Sequence, residues 1–261
     1  MGKIISLVNQ KGGVGKTTSS INLAASLGAF NKKVLLVDLD PQGNTTTGLG
    51  FIKADISKSV YDLLIDNATL DETIIKTKFK NLYIIPATIY LAGADLELVE
   101  RSRTEQNFEK NGQLKKHLDA TREAFDYVII DCPPSLGILT ANALAASDSV
   151  IIPVQCEFFA LEGIMQLLTS IRLAQKDLNP KLDIEGVLLT MYDTRTNLGQ
   201  DVVEDIRSYF KERVYDTIIP RLVRLSEAPS HGKPILAYDP HNRGTEAYLN
   251  LAKEVIERNG K

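Results

Sequence analysis

Two lysines bracket a run of glycines near the start of the chain: Gln10-Lys11-Gly12-Gly13-Val14-Gly15-Lys16-Thr17-Thr18. Gly15, Lys16 and Thr17 fill the last three places of the phosphate-binding pattern G-x-x-x-x-G-K-[ST], while Gln10 stands where its first glycine would be. Between a strand and a helix, such glycines let backbone N–H groups turn inward around phosphate oxygens, and the helix adds its positive end. Lys16 is expected to reach the β- and γ-phosphates of a bound nucleotide, and the Thr17 hydroxyl to ligate Mg²⁺. Gly12, Gly13, Val14 and Thr18 belong to the same cradle. One lysine suffices for the nucleotide of its own chain. Lys11, at the mouth of the loop, is a charge to offer to another nucleotide.

Two acidic segments extend the chemistry. Tyr127-Val-Ile-Ile-Asp131 is an apolar run ending in a carboxylate, the expected partner of the Mg²⁺ shell. Val34-Leu-Leu-Val-Asp38-Leu-Asp40-Pro-Gln-Gly43 brings two more carboxylates to the carboxyl end of a strand, where α/β sheets bind ligands. Pro41 redirects the chain, so the two roles diverge. Asp40 is expected to orient the attacking water beside the γ-phosphate, and Asp38 to support either Mg²⁺ or the loop. The competing reading is that both only cap the next turn.

Short Val/Ile/Leu-rich runs alternate with longer helical segments, the pattern of a parallel sheet covered on both faces. Strands are expected over 4–8, 34–38, 82–85, 127–131, 149–154 and 184–190, with a further candidate at 217–219. Helices are expected over 17–29, 60–65, 114–124, 161–175, 202–210 and 246–257. Residues 100–112, rich in charge and amide groups, read as a surface helix or insertion. The fold class is thus α/β: one P-loop NTPase-like domain over 1–261, with a mostly parallel twisted sheet flanked by helices. No room is expected ahead of the first strand for a separate helix-turn-helix module.

The bulk properties narrow the partners. A chain of 261 residues suits one large α/β domain. A net charge of −3 argues against a generally basic surface, so any nucleic-acid contact must come from a local cluster of Lys and Arg. Cys132 and Cys156 form no CxxC pair, which fits a reducing cytoplasm better than a disulfide or metal framework. No apolar run approaches the roughly 18 residues of a membrane span, so no stable membrane anchor is expected. Met1-Gly-Lys-Ile-Ile-Ser6 matches the loose myristoylation pattern, but Gly2 leading into a buried strand is the simpler reading. His117, His231 and His241 support no Ser-His-Asp arrangement.

Taken together, these segments resemble the ParA/Soj family of chromosome- and plasmid-partitioning ATPases, within the deviant Walker-A class. The resemblance runs over nearly the whole chain. Beside Lys11–Thr18 it includes Val37-Asp-Leu-Asp-Pro-Gln-Gly-Asn44, Ile130-Asp-Cys-Pro-Pro-Ser135 and Pro153-Val-Gln-Cys-Glu157. It continues through Thr190-Met-Tyr-Asp-Thr-Arg-Thr-Asn197 and Arg224-Leu-Ser-Glu-Ala-Pro-Ser-His-Gly-Lys-Pro234, the two blocks that point to the chromosomal branch. The resemblance implies a slow, Mg²⁺-dependent ATP hydrolase that forms an ATP-dependent sandwich homodimer, with Lys11 of each subunit crossing to the partner's ATP. It implies that Asp40 activates water, that Pro220 and Leu222 border the base (Leu222 standing where the family commonly has Asn), and that Asn142 and Thr190 give supporting contacts. It further implies that Arg195 and Arg224 bind double-stranded DNA without sequence preference, and that a ParB-type centromere-binding protein stimulates hydrolysis and release. The expected location is cytoplasmic and nucleoid-associated.

Three relatives in chemistry compete. A membrane-associated cell-division-site ATPase of the same class would end in a basic amphipathic helix, whereas the tail here, 250–261, mixes acidic and basic residues. An iron–sulfur reductase would need paired cysteines from each subunit. An ATP-dependent regulator of a replication initiator would use the same dimer switch and can coexist with partitioning.

Overall fold

The computed structural model describes residues 1–157, 160–195 and 197–260; Thr196 and Lys261, which fall in segments named above, lie outside them. Among the described residues, seven strands form one sheet: β1 (Lys3–Leu7), β2 (Val34–Asp38), β3 (Ile75–Lys76), β4 (Leu82–Ile85), β5 (Tyr127–Asp131), β6 (Ser149–Gln155) and β7 (Asp183–Thr190). Their order is β3-β4-β2-β5-β1-β6-β7, and every pairing is parallel except β3 with β4. The helices are α1 (Lys16–Ala29), α2 (Asn44–Gly48), α3 (Val60–Leu64), α4 (Leu70–Thr73), α5 (Ala94–Thr104) and α6 (Gln113–Leu118). They continue as α7 (Ile138–Ala146), α8 (Ala160–Asp177), α9 (Asn197–Phe210), α10 (Val223–Glu227), α11 (Ile235–Tyr238) and α12 (Arg243–Arg258).

The two-residue period of the strands sends alternate side chains into two cores. Ile4, Leu35, Val37, Val128 and Ile130 face one side with α6, α7 and α8. Ile5, Leu7, Leu36, Tyr127 and Ile129 face the other with α1 and α12. Strands apolar on both faces are what a doubly covered parallel sheet requires. At about 25 cal/mol per Å² of apolar area buried, each such Leu or Ile contributes roughly 1.5–3 kcal/mol. The sheet is therefore a rigid plate. The carboxyl ends of its central strands β2, β5 and β1 lie side by side, with Asp38 registered against Asp131 and Leu7 against Asp131.

Two expectations are corrected. Residues 217–219 are not a strand: only isolated bridges join Val187 to Val214 and Tyr192 to Pro220. The segment stays beside β7, with Ile219 N donating to the Leu189 carbonyl at 2.9 Å, but Glu254 of α12 takes the Thr217 N–H at 2.8 Å and Pro220 has no N–H to give, so no continuous ladder forms. The helix expected over 114–124 ends at Leu118 and tightens into a 3₁₀ turn over Asp119–Glu123, where the Thr121 hydroxyl donates to the Leu118 carbonyl at 2.6 Å. The 100–112 segment opens with the end of α5. Gly2 is buried, its N–H donates to the Arg122 carbonyl at 2.6 Å, and a Cβ there would collide with the Phe125 carbonyl.

Candidate nucleotide site and DNA surface

The loop after β1 folds as its glycines dictate. Gly13 and Gly15 take φ of 77° and 88°, the left-handed region that side chains avoid, and α1 starts directly after Gly15. Lys16, the first residue of α1, is 6% exposed, and its Nζ donates to the Lys11 carbonyl at 3.1 Å. Burial lowers the Lys16 pKa, with the charges of Asp131 and Asp40 acting against that shift. Asn9 anchors the loop: its Nδ2 donates to the Pro153 carbonyl at 2.7 Å, and its Oδ1 accepts from Lys11 N at 3.0 Å. The mouth of the loop is thereby tied to β6.

At the end of β5, Asp131 is fully buried and gathers three hydroxyls. Oδ2 accepts from Thr17 Oγ1 at 2.8 Å and Thr45 Oγ1 at 2.7 Å, and Oδ1 accepts from Ser20 Oγ at 3.0 Å. Burial raises its pKa, while those hydroxyls oppose the rise. Next to it, Asp38 ends β2 and is equally buried. Its Oδ2 accepts from Thr46 N at 2.8 Å and Thr46 Oγ1 at 2.6 Å, and its Oδ1 from Asp40 N at 3.3 Å. Burial, followed by the charge of Asp131, pushes the Asp38 carboxyl up to about 7. Of the two roles expected for Asp38, loop support is the one these contacts serve.

Asp40 is 7% exposed and sits in a turn it helps to make, its Oδ1 accepting from Gln42 N at 2.9 Å and its carbonyl from Gly43 N at 2.8 Å. Its charge is felt by both Lys16 and Asp131. The donor set is all oxygen, the Thr17 hydroxyl and the Asp131 carboxylate, with Asp38 beside them but bonded to the loop. That suits Mg²⁺, a hard cation. Among the described residues no cluster of three or more His, Cys, Asp or Glu could hold a metal alone. An ion here would take its remaining ligands from phosphate oxygens and water.

Lys11 points elsewhere. Its side chain is 48% exposed, and its ammonium pairs with Glu157, in the loop after β6. A Cβ at Gly12 would meet nothing within 4 Å among the described residues, so no crowding within the subunit demands that glycine.

Beside the loop lies a cavity of about 230 Å³ lined by Gly15, Thr18, Thr190, Pro220, Leu222 and Tyr248, among others. Thr190 seals its floor by donating from Oγ1 to the Val14 carbonyl at 2.8 Å. Asn142 is not part of it. Its amide is buried and spent on backbone, accepting from Leu114 N at 3.1 Å and donating to the Lys110 and Ile138 carbonyls at 2.8 and 3.0 Å.

The two arginines expected at a DNA surface are exposed and already paired. Arg195 holds Asp193 through Nε at 2.9 Å and through a second guanidinium nitrogen at 2.6 Å. Arg224, on α10, donates to Glu227 at 3.1 Å and to the Tyr238 hydroxyl at 3.2 Å. Arg195 lines an open groove of about 540 Å³ with Tyr192, Arg221, Arg243 and Glu246, whereas Arg224 is not among its lining residues.

Residues 2–184 match the AAA domain family. The chain is 61% identical over 255 residues to the sporulation initiation inhibitor protein Soj of Bacillus subtilis (strain 168), spanning 98% of each protein. It is 50% identical over 258 residues to the chromosome partitioning protein ParA of Myxococcus xanthus (strain DK1622), covering 99% of this chain and 89% of that one. The chain belongs to the Soj/ParA family of chromosome-partitioning ATPases. Among solved structures, it is similar to a protein of Mycobacterium smegmatis described as cobyrinic acid a,c-diamide synthase with bound ATP analog and magnesium. The two are 34% identical with a TM-score of 0.85, over 100% of this chain and 98% of that one.

For this Soj/ParA protein, four residues that position the site were not found by reading its sequence: Asn9, Thr45, Thr46 and Glu157. The threonines carried a faint signal, since Thr45-Thr46-Thr47 directly follows the Gly43 turn. Asn9 and Glu157 carried none, because their partners are brought together only by the adjacency of β1 and β6.

Proposed function

We propose that this Soj/ParA ATPase works as an ATP-gated dimer that holds DNA while the triphosphate is intact and lets go after hydrolysis. Lys16 and the N–H groups of residues 12–18 hold the phosphates. Pro220 and Leu222 border the base in the cavity next to the loop. Mg²⁺ would be held by Thr17 and Asp131, with Asp38 fixing the loop behind them, and it supplies positive charge against the phosphates. Asp40 orients and deprotonates the attacking water. A lone carboxylate is a weak positioner, so basal turnover is slow. Lys11 leaves its own subunit and reaches the partner's ATP, an effect comparable to an arginine finger supplied in trans and worth about 10³-fold in turnover. The open space around Gly12 is room for that approach.

Arg195 and Arg224 bind the DNA backbone, giving a surface with little base preference. Dimerisation doubles these contacts on one face, so a patch too weak alone binds as a pair. A ParB-type partner stimulates hydrolysis, and the protein works on the nucleoid in the cytoplasm. The observation that carries this reading is the hydrogen bond of Thr17 to buried Asp131, with Lys16 and Asp40 also buried, while the exposed Lys11 side chain turns to Glu157. The test is to size the Asp40→Ala protein by light scattering with ATP or ADP, with and without duplex. A dimer confined to ATP is expected; a monomer under saturating Mg-ATP with duplex would overturn the scheme.

A further inference from the structure

The groove that holds Arg195 holds two other arginines, and they differ from it in one respect. Arg195 is bound at two points by Asp193. Arg221 and Arg243 line the same groove and are exposed, and among the described residues neither guanidinium makes a hydrogen bond or an ion pair, although the charge of Arg221 is felt by Asp193. The groove runs between the 192–195 loop, the 217–222 segment and the start of α12. Three arginines face two carboxylates there, Asp193 and Glu246. With Asp193 held by Arg195, Arg221 and Arg243 are the cations available to an incoming anion without first breaking a bond.

The segment carrying Arg221 is held in place. Arg221 N donates to the Tyr192 carbonyl at 3.0 Å and Tyr192 N to the Ile219 carbonyl at 3.1 Å, which locks the two walls together. Arg243 is the first residue of α12, where the Asn242 side chain accepts from Gly244 N at 2.9 Å and fixes the helix start. Both guanidiniums therefore project from anchored backbone. Arginine's planar fork suits phosphodiester oxygens. Pro220, Arg221 and Leu222 line this groove and also the cavity beside the phosphate loop. One short wall thus serves both the base and the groove.

We infer that Arg221 and Arg243 grip backbone phosphates of double-stranded DNA in this groove, with Arg195 joining them when it leaves Asp193. The assignment rests on the DNA-binding reading above and adds two residues to it. The experiment uses the full-length Asp40→Ala protein with ATP and a short fluorescent duplex, measuring anisotropy across a salt series, with light scattering in parallel. Arg243→Ala and Arg221→Ala should each flatten the slope of log K against log salt by about 0.9 per phosphate lost, or about 2 for a dimer, and weaken binding about tenfold or more. Arg243→Lys should keep the slope, and Arg243→Ala should still dimerise with ATP. Because Arg221 also borders the cavity, binding of a fluorescent ATP analogue is measured for its variant and should be retained. Parental slope and affinity in both alanine variants would overturn the assignment, as would loss of the ATP dimer in Arg243→Ala. If the Asp40→Ala parent itself failed to bind duplex, the DNA-binding reading would fall first and this assignment with it.

Discussion

Glu157, in the loop after β6, holds the ammonium of Lys11, in the loop after β1, so the lysine proposed to serve a second subunit is occupied within its own. For Lys11 to cross an interface this pair must break in both subunits. The pair is partly exposed, with side chains 48% and 33% accessible, and such pairs contribute about 0–1 kcal/mol. Glu157→Gln should therefore strengthen ATP-dependent dimerisation by up to about 2 kcal/mol for two copies, or roughly 30-fold. Light scattering over a dilution series in Mg-ATP measures this. An unchanged dimerisation constant would show that Glu157 does not compete for Lys11.

Lys11→Ala and Asp40→Ala should separate binding from turnover. Lys11→Ala is expected to keep nucleotide affinity while losing about 10³-fold of partner-stimulated hydrolysis. Asp40→Ala is expected to bind ATP normally and to lose about 10²-fold or more of turnover, the usual contribution of a positioned base. Phosphate release and fluorescent-nucleotide titration report the two quantities. Normal hydrolysis by Asp40→Ala would remove that residue from the chemistry.

Thr46 makes a prediction about stability. Its hydroxyl donates to Asp38 at 2.6 Å and accepts from Ala87 N at 2.9 Å, all in buried surroundings. Thr46→Val keeps the shape and removes both bonds, leaving an N–H unpaired and a buried carboxylate short of a donor. A loss of about 3 kcal/mol is expected from such changes, measured as a lower midpoint in urea at constant slope. A variant as stable as the parent would mean that this hydroxyl is not what holds the loop.

The cysteines should be slow. Cys132 is 1% exposed, and burial, then the charge of Asp131, pushes its thiol well above the usual range. Burial pushes Cys156 up to about 11. The thiolate is the reactive form, so at pH 8 both should alkylate at least tenfold more slowly than free cysteine and at the ordinary rate in denaturant. Fast labelling of Cys132 in the native protein would contradict its buried placement.

What could be read from the sequence was whatever is local. The strands at 34–38, 82–85 and 127–131 match because each is a short apolar run closed by a charge or turn. The phosphate loop and the three aspartates follow from residue type and spacing. The α7 helix escaped because Ile138–Ala146 is apolar nearly all round and shows no helical stripe against the strand-like background. The β3 strand is two residues long and antiparallel, too short for a period. The site residues that escaped do so for another reason. Lys11 and Glu157 lie far apart in sequence and meet only because β6 is a neighbour of β1, and that order is a property of the whole sheet.

The turn from Asp38 to Thr46 is stitched at its far end to carboxylates on two adjoining strands: Thr46 to Asp38, and Thr45 to Asp131, which also holds Thr17. Asp40 lies in the span these bonds close. If Asp40 orients the water and Thr17 holds the metal as proposed, both depend on one hydrogen-bonded frame, so readiness to cleave and grip on the fuel would be geared together. A regulator touching the outer surface of 42–48 would reset the tempo of the whole cycle from a distance, without entering the pocket.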